Sequence, residues 1–325
     1  EEYRNNLYSL WTNYCVSESY EPGSTFKPVT VASALEEGVV KDGDTYVCKG
    51  FETVADYKLK CHVFSTIGSH GSLTVEQALM NSCNPYMIHL ALEMGNSRFA
   101  YYQSLFGFGK ITGIDLPGET TGIVYGDRMT TIDAACNSFG QTINVNMMQM
   151  MAAYCSIING GMLYQPHIVK RIESANGEVV KEYKANLVRQ TITASTSKLL
   201  RRYLKNTVEE GTAKKAGVTG YSVAGKTGTA QKGDRKDNKW IISFIGHAPA
   251  ENPKFAIYVV IDEPYGTTGT SGSSADVLTL THNILEKLLP YMNVYKDASD
   301  EYEDTSSSPD ELTVDGIPAG TASSN

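Results

Sequence analysis

Ser24 and Lys27 stand three apart in Glu21-Pro22-Gly23-Ser24-Thr25-Phe26-Lys27-Pro28, where the chain leaves a Pro-Gly turn. Residues 29–37 read as a helix stopped by Gly38. Positions i and i+3 share a helix face, so the Ser24 hydroxyl and the Lys27 amine are expected within reach of each other at a helix N-terminus. The dipole there disfavours a protonated lysine and favours negative charge developing on Ser24. These are the needs of a nucleophilic serine served by a lysine base. Pro28, about one turn in, is expected to cost one helix hydrogen bond. This stretch alone leaves the plainer reading open, an N-cap serine beside a solvated lysine.

Two further groups of residues could do chemistry. Ser82 and Asn84 fall in Ser82-Cys83-Asn84-Pro85, a short break between a helix opened by the capping box Thr74-Val75-Glu76-Gln77 and a second helix over 86–94. Side chains in such a break can point out of the regular ladder, although Asn84 also reads as a cap with Pro85 at the first helical position. Gly225-Lys226-Thr227-Gly228-Thr229 lies on a β-rich run. Its small residues let a substrate backbone run along a strand edge, and a lysine with two threonine hydroxyls suits a carboxylate. Residues 220–227 also fit a phosphate-binding loop. That motif requires a strand before Gly220 and a helix opening at Lys226, and the flanking residues supply neither pattern.

Around these residues the chain falls into two halves. Helices are expected over 97–106, 146–158 and 195–210, with a hairpin turning at Asn176-Gly177 between strands over 168–172 and 178–183. The methionines at 147, 148, 150 and 151 read as core filler. Strands over 221–231, 240–247 and 254–262 follow, then a closing helix over 275–289. Helices followed by hairpin-linked strands define an α+β architecture with an antiparallel sheet.

At 325 residues the chain can bury a sizeable core. Its net charge of −8 is uneven: residues 293–325 hold eight acidic side chains and one lysine, leaving the body near −1. A near-neutral body argues against a nucleic-acid partner. The acidic segment reads as a disordered tail, which places a domain at 1–292 and a tail at 293–325. No apolar run reaches the length of a membrane span. Of the six cysteines, Cys83, Cys136 and Cys155 lie among apolar helix residues and read as small hydrophobes. Cys48 and Cys61 flank a hairpin or loop, and a disulfide between them is expected in an oxidising compartment. Zinc bound by Cys48, Cys61 and His62 is the weaker reading, because the spacing holds no CxxC pair.

Taken in order, S-x-x-K at Ser24, S-x-N at Ser82 and K-T-G at Lys226 resemble the motif set of penicillin-binding proteins and serine β-lactamases. The flanks Phe106-Gly107-Phe108-Gly109, Gly113-Ile114-Asp115-Leu116-Pro117-Gly118-Glu119, Ser138-Phe139-Gly140-Gln141 and Ala224-Gly225-Lys226-Thr227-Gly228-Thr229-Ala230-Gln231 narrow the resemblance. They are similar to class B penicillin-binding proteins of the division and sporulation type, over roughly residues 20–290. The chain departs from that pattern in two places. The family's transpeptidase domain begins some fifty residues before the serine, so the first strands, a pedestal domain and a membrane anchor are expected to be missing. The run Tyr265-Gly266-Thr267-Thr268-Gly269-Thr270-Ser271-Gly272 leaves the alignment of the closing helix open.

The resemblance implies a penicillin-binding protein/serine β-lactamase-like fold, with an antiparallel sheet flanked by helices and a mainly helical subdomain. It implies a D,D-transpeptidase that cross-links peptidoglycan stem peptides ending in D-Ala-D-Ala, without metal or cofactor, and that β-lactams acylate. Ser24 would be the nucleophile, Lys27 the base, Ser82 a proton relay, and Asn84 a holder of Lys27 and substrate. Lys226, Thr227, Gly228 and Thr229 would bind the substrate, with the backbone N–H groups of Ser24 and Thr229 as the oxyanion hole. The implied setting is the outer face of the cytoplasmic membrane, beside a glycosyltransferase and division or sporulation proteins. A D,D-carboxypeptidase, a β-lactamase, or a non-catalytic β-lactam sensor are the alternatives.

Overall fold

A computed structural model describes residues 4, 7, 10–233, 239–264 and 273–298. The Asn13 side chain caps a short helix, α1 (Tyr14–Ser17). A 3-10 turn, Gly23–Phe26, then runs directly into α2 (Lys27–Glu37), which ends on Gly38 at φ 74°. Pro28 therefore sits in the first turn of α2, where no intrahelical donor is needed, and does not carry the cost expected of it.

A small ribbon follows. β1 (Thr45–Cys48) is separated by the hairpin β2 (Phe51–Val54) and β3 (Tyr57–Lys60) from its antiparallel partner β4 (Gly71–Thr74). The expected capping box forms between Thr74 and Gln77 at the head of α3 (Val75–Met80). The next helix, α4 (Asn84–Met94), begins at Asn84 itself, with Cys83 at its N-cap and no side-chain cap. Asn84 is thus not the cap, and its side chain is free for another partner.

After α4 come α5 (Asn96–Leu105), α6 (Thr131–Asn137) and α7 (Met147–Ile158). β5 (Met162–Gln165) pairs with β8 (Asn186–Gln190), enclosing the hairpin β6 (Arg171–Glu173) and β7 (Val179–Glu182). Amphipathic α8 (Ala194–Glu209) starts from its cap Thr193. β9 (Ala224–Lys232), β10 (Lys239–Ala248) and β11 (Phe255–Asp262) form an antiparallel sheet in the order β11-β10-β9, and α9 (Ala275–Tyr291) closes the described fold. β9 runs straight through Lys226, so no helix opens there and the phosphate-loop reading fails on the structure as well.

Two apolar clusters hold the domain. The larger joins α2, α4, α7 and α8 through side chains such as Val31, Met87, Ile88, Ile157 and Leu200. The smaller packs Ile242 and Phe244 of β10 against Val277, Leu285 and Leu289 of α9. Period-two alternation along β10 explains the division: Phe244 faces α9, and the next residue, Ile245, belongs to the helical cluster. Each such fully buried side chain contributes about 1.5–3 kcal/mol relative to exposure. On the outer face of α9, Leu280 and Tyr291 are exposed, and β11 is an edge of the three-stranded sheet.

The expected tail begins as ordered chain. Val294 is buried, and the Asp297 carboxylate accepts hydrogen bonds from the backbone N–H and the hydroxyl of Ser222. The rest of that tail and the run 265–272 lie outside the described residues.

Candidate active site

The 3-10 turn presents Ser24, and the first residue of α2 is Lys27, buried with no exposed surface. Lys27 Nζ donates to the backbone carbonyl of Ser82 at 2.6 Å, to Ser82 Oγ at 3.0 Å and to Asn84 Oδ1 at 2.6 Å. Ser82 Oγ in turn donates to Ser24 Oγ at 3.0 Å. Ser24 and Lys27 are therefore joined through Ser82 rather than by the direct pairing expected from i,i+3 spacing. The amide of Asn84, spared from capping, is the strongest side-chain partner Lys27 has, and its Nδ2 reaches the Lys60 carbonyl at 3.4 Å. Burial pulls Lys27 down to about pKa 8, because a low-dielectric site penalises the ammonium form.

Ser82 takes φ 54°, a left-handed conformation that costs a non-glycine residue of order 1 kcal/mol. Its hydrogen bonds to both Ser24 and Lys27 hold it there.

The opposite wall is β9. Lys226 is fully buried, and its Nζ makes only long bonds, to Thr212 Oγ1 and the Thr227 carbonyl at 3.4 Å and to Thr227 Oγ1 at 3.5 Å. Burial, and then the charge of Lys27, hold Lys226 well below the ordinary lysine value. Thr229, three residues further along the strand, is exposed. The Ser24 turn is pressed onto this strand: a Cβ on Gly23, at φ 57°, would lie 2.6 Å from the Thr229 carbonyl oxygen. A Cβ on Gly228 would lie 2.5 Å from Ser243 Oγ and 2.9 Å from the Pro22 carbonyl.

Residues outside the three motifs fix that contact. Gly23 N–H donates to the Gly140 carbonyl at 2.9 Å, and a Cβ on Gly140 would lie 2.0 Å from the Gly23 oxygen. The Ser138-Phe139-Gly140-Gln141 flank is thus the third side of the turn, and Thr30 Oγ1 ties α2 to the Ser138 carbonyl at 2.8 Å. Below the turn, Thr25 Oγ1 donates to the Pro22 carbonyl at 2.7 Å, and Tyr20 and Tyr258 share a hydroxyl pair at 2.8 Å. Glu119, in the other flank, accepts from Thr112 N, Thr112 Oγ1 and Gly113 N, and Asp115 accepts from the N–H groups of Ile168 and Val169. Both carboxylates fasten loops through backbone N–H groups.

The cysteines differ from expectation. All six are free thiols, so the bridge expected between Cys48 and Cys61 is not formed. Nor does His62 join them: its Nε2–H donates to the Asn81 carbonyl at 2.9 Å. His70 and Cys83 meet Cys48 and Cys61 instead, all four donor atoms lying within 4.8 Å of one another. Cys83 is therefore not a helix-interior hydrophobe but the middle residue of S-x-N.

Segments around residues 24, 82 and 226 meet between a helical half and an antiparallel sheet, and that convergence is the mark of the penicillin-recognising class of folds. A family model described as the penicillin binding protein transpeptidase domain matches residues 1–286, and the chain belongs to that family. It is 41% identical over 288 residues to the Stage V sporulation protein D of Bacillus subtilis, across 87% of this chain and 44% of the relative. It is 32% identical over 292 residues to the peptidoglycan D,D-transpeptidase FtsI of Escherichia coli K12, across 88% of this chain and 46% of that one. The chain thus spans under half the length of these curated relatives. Among solved structures it is similar to penicillin binding protein 3 of Mycobacterium tuberculosis complexed with ampicillin, at a TM-score of 0.79 and 28% identity, covering 89% of this chain and 66% of the other. The aztreonam complex of the same protein gives 0.78 and 29% over the same shares.

Proposed function

We propose that this domain is a peptidoglycan D,D-transpeptidase that works through an acyl-enzyme on Ser24 and is blocked there by β-lactams. The observation that carries the reading is the chain of hydrogen bonds from Ser24 Oγ through Ser82 Oγ to a buried, pKa-lowered Lys27. Ser24 Oγ attacks the carbonyl of the penultimate D-alanine while its proton passes by way of Ser82 to Lys27. The C–N bond breaks, and the proton returns along the same path to the leaving amine of the terminal D-alanine. An amine from a second stem peptide then attacks the ester, Lys27 takes up its proton, and that proton returns by way of Ser82 to Ser24 Oγ as the ester C–O bond breaks. Asn84 holds Lys27 and the substrate amide.

Lys226, with Thr227 and Thr229, receives the terminal carboxylate. Its long bonds in the resting site and its lowered pKa mean that an incoming carboxylate supplies the missing partner and favours the ammonium form. The backbone N–H groups of Ser24 and Thr229 stabilise the oxyanion, since their segments are packed against each other at Gly23. We place the domain outside the cytoplasmic membrane, on an anchor beyond this chain, working with a glycosyltransferase and with division or sporulation proteins. The similarity to proteins bearing sporulation and transpeptidase names supports a role in sporulation or transpeptidation.

Incubation with a fluorescent penicillin followed by intact-mass measurement tests the proposal. One adduct per chain is expected, absent in Ser24→Ala. An adduct that survives the substitution or maps elsewhere overturns it. A stoichiometric burst with a chromogenic cephalosporin is expected. Steady turnover would instead make the domain a β-lactamase, and acylation without any transfer to an amine acceptor would make it a sensor.

A further inference from the structure

We infer that Cys48, Cys61, His70 and Cys83 form a closed tetrahedral Zn2+ site that fastens the Ser82-x-Asn84 loop to the β1–β4 ribbon. The geometry is the first ground. A tetrahedral zinc ion with Zn–S near 2.3 Å and Zn–N near 2.0 Å needs a sulfur-to-nitrogen separation of about 3.6 Å. His70 Nδ1 lies 3.8 Å from Cys48 Sγ and 3.5 Å from Cys61 Sγ, and all four donor atoms fall within 4.8 Å of one another.

The donor set is the second ground. Three thiols and one imidazole are soft and borderline ligands, which suit zinc and exclude the hard cations magnesium and calcium. Cys48, Cys61 and Cys83 are 1%, 3% and 0% exposed and His70 is partly buried, and four protein donors fill a tetrahedron without a water. That is the closed arrangement of a structural site, and it asks nothing of the metal in the acyl-transfer reaction.

Backbone amides surround the sulfurs as they would surround thiolates. Gly50 N–H donates to Cys48 Sγ at 3.4 Å, the N–H groups of Val63 and Asn84 donate to Cys61, and that of Tyr86 donates to Cys83. Such outer bonds orient metal ligands and support their charge. A Cys48–Cys61 disulfide would use two of the four groups and leave Cys83 and the His70 nitrogen buried beside it without a partner of comparable strength. The spacing hides the site in the sequence: twelve, eight and twelve residues separate the successive ligands, with no short pair.

Its position connects it to the candidate active site. Cys83 is flanked by the two residues whose side chains hold Lys27, and Cys61 follows Lys60, whose carbonyl accepts from Asn84 Nδ2. Cys48 ends β1, and His70 immediately precedes β4. A metal bound here ties the ribbon, the end of β3 and the S-x-N loop at one point. This fastening role, unlike the metal site itself, rests on the function proposed above.

The test uses the chain grown with added zinc and purified without chelator. Elemental analysis should find about one zinc per chain. His70→Ala and Cys83→Ser should lose it, while Cys155→Ser should keep it. Because Cys83→Ser can fail to fold, cobalt(II) is also exchanged into the unmodified protein, where thiolate-to-cobalt charge transfer and intense tetrahedral d–d bands are expected. A folded, fully reduced chain that takes up neither metal overturns the site, as does zinc retained in both variants or a mass two hydrogens lighter that reports a disulfide. Stripping zinc from the unmodified protein should slow penicillin acylation of Ser24 by about 10²-fold. Unchanged acylation after stripping overturns the fastening role alone, and failure of Ser24 to acylate even with zinc bound counts against the proposed function and not the metal site.

Discussion

Ser24 Oγ and Ser82 Oγ lie 3.0 Å apart although they stand 58 positions apart in the chain. Ser82 holds this position at a positive φ, so the hydroxyl is placed at some conformational expense. Two substitutions separate the hydroxyl from the backbone. Ser82→Ala should cut the acylation rate about 10²- to 10⁴-fold. Ser82→Gly should be as slow, yet more stable than Ser82→Ala by about 1 kcal/mol, because glycine adopts that conformation freely. Stopped-flow acylation and urea unfolding on both variants check this. Near-native acylation in Ser82→Gly would show that the backbone, and not the hydroxyl, is what matters.

Under the proposed mechanism Lys27 sets the pH response. With its pKa pulled down to about 8, the neutral amine that can accept a proton is scarce at pH 6 and dominant at pH 9. The acylation rate should therefore rise about tenfold per pH unit below 8 and level off above it. Lys27→Arg should be slower by orders of magnitude and lose the rise, because a guanidinium stays charged. A flat profile in the unmodified protein would remove Lys27 as the base.

Gly140→Ala should destabilise the domain by about 2 kcal/mol or more. The new Cβ would sit 2.0 Å from the Gly23 carbonyl, at φ 81°. The nucleophile turn must then shift, so acylation should fall with stability. Denaturant midpoints together with penicillin labelling read both effects. A variant stable as the parent would mean that the two loops can part without consequence.

His247 gives a stability prediction away from the chemistry. Its Nε2–H donates to the Ala250 carbonyl at 3.0 Å, and its Nδ1 accepts from the Tyr154 hydroxyl at 2.8 Å, so the buried ring is neutral. Burial lowers it to about pKa 4 from an ordinary value of 6.5. Between those values the unfolded chain binds the extra proton, and stability rises with pH. The contribution is complete above pH 6.5 and is lost as pH falls toward 4, about 3 kcal/mol across the window. Urea unfolding at pH 7.5 and pH 5 should show the loss, and His247→Gln should flatten it.

The sequence carried those parts of the site that are local. Ser24 and Lys27 announce themselves by spacing and a Pro-Gly turn, and Lys226 by its small neighbours on a strand. The β-rich run of β10 and the capping box at Thr74 are equally local, and those elements fall where expected. What stayed hidden is set by tertiary contact. From its own neighbours Asn84 reads as a cap, and only the family resemblance points to Lys27, 57 positions away, whose amine takes its amide oxygen. Gly140 is a turn glycine until the Gly23 carbonyl arrives beside it. Cys83 looks like a small hydrophobe because its partners, Cys61 and His70, come from the far side of a ribbon whose outer strands β1 and β4 show too short an alternation to be recognised.

The contact between Gly23 and Thr229 joins residues from opposite ends of the domain. The two walls of the cleft therefore cannot approach until most of the intervening chain has taken its place, and such non-local closure comes late in folding. A nascent or partly opened copy holds a serine, a lysine and a K-T-G strand that do not meet, and is chemically silent. Under the proposed function, covalent labelling by penicillin would be a head count of finished molecules, and an experimenter could use the antibiotic itself to report how much of this protein has folded.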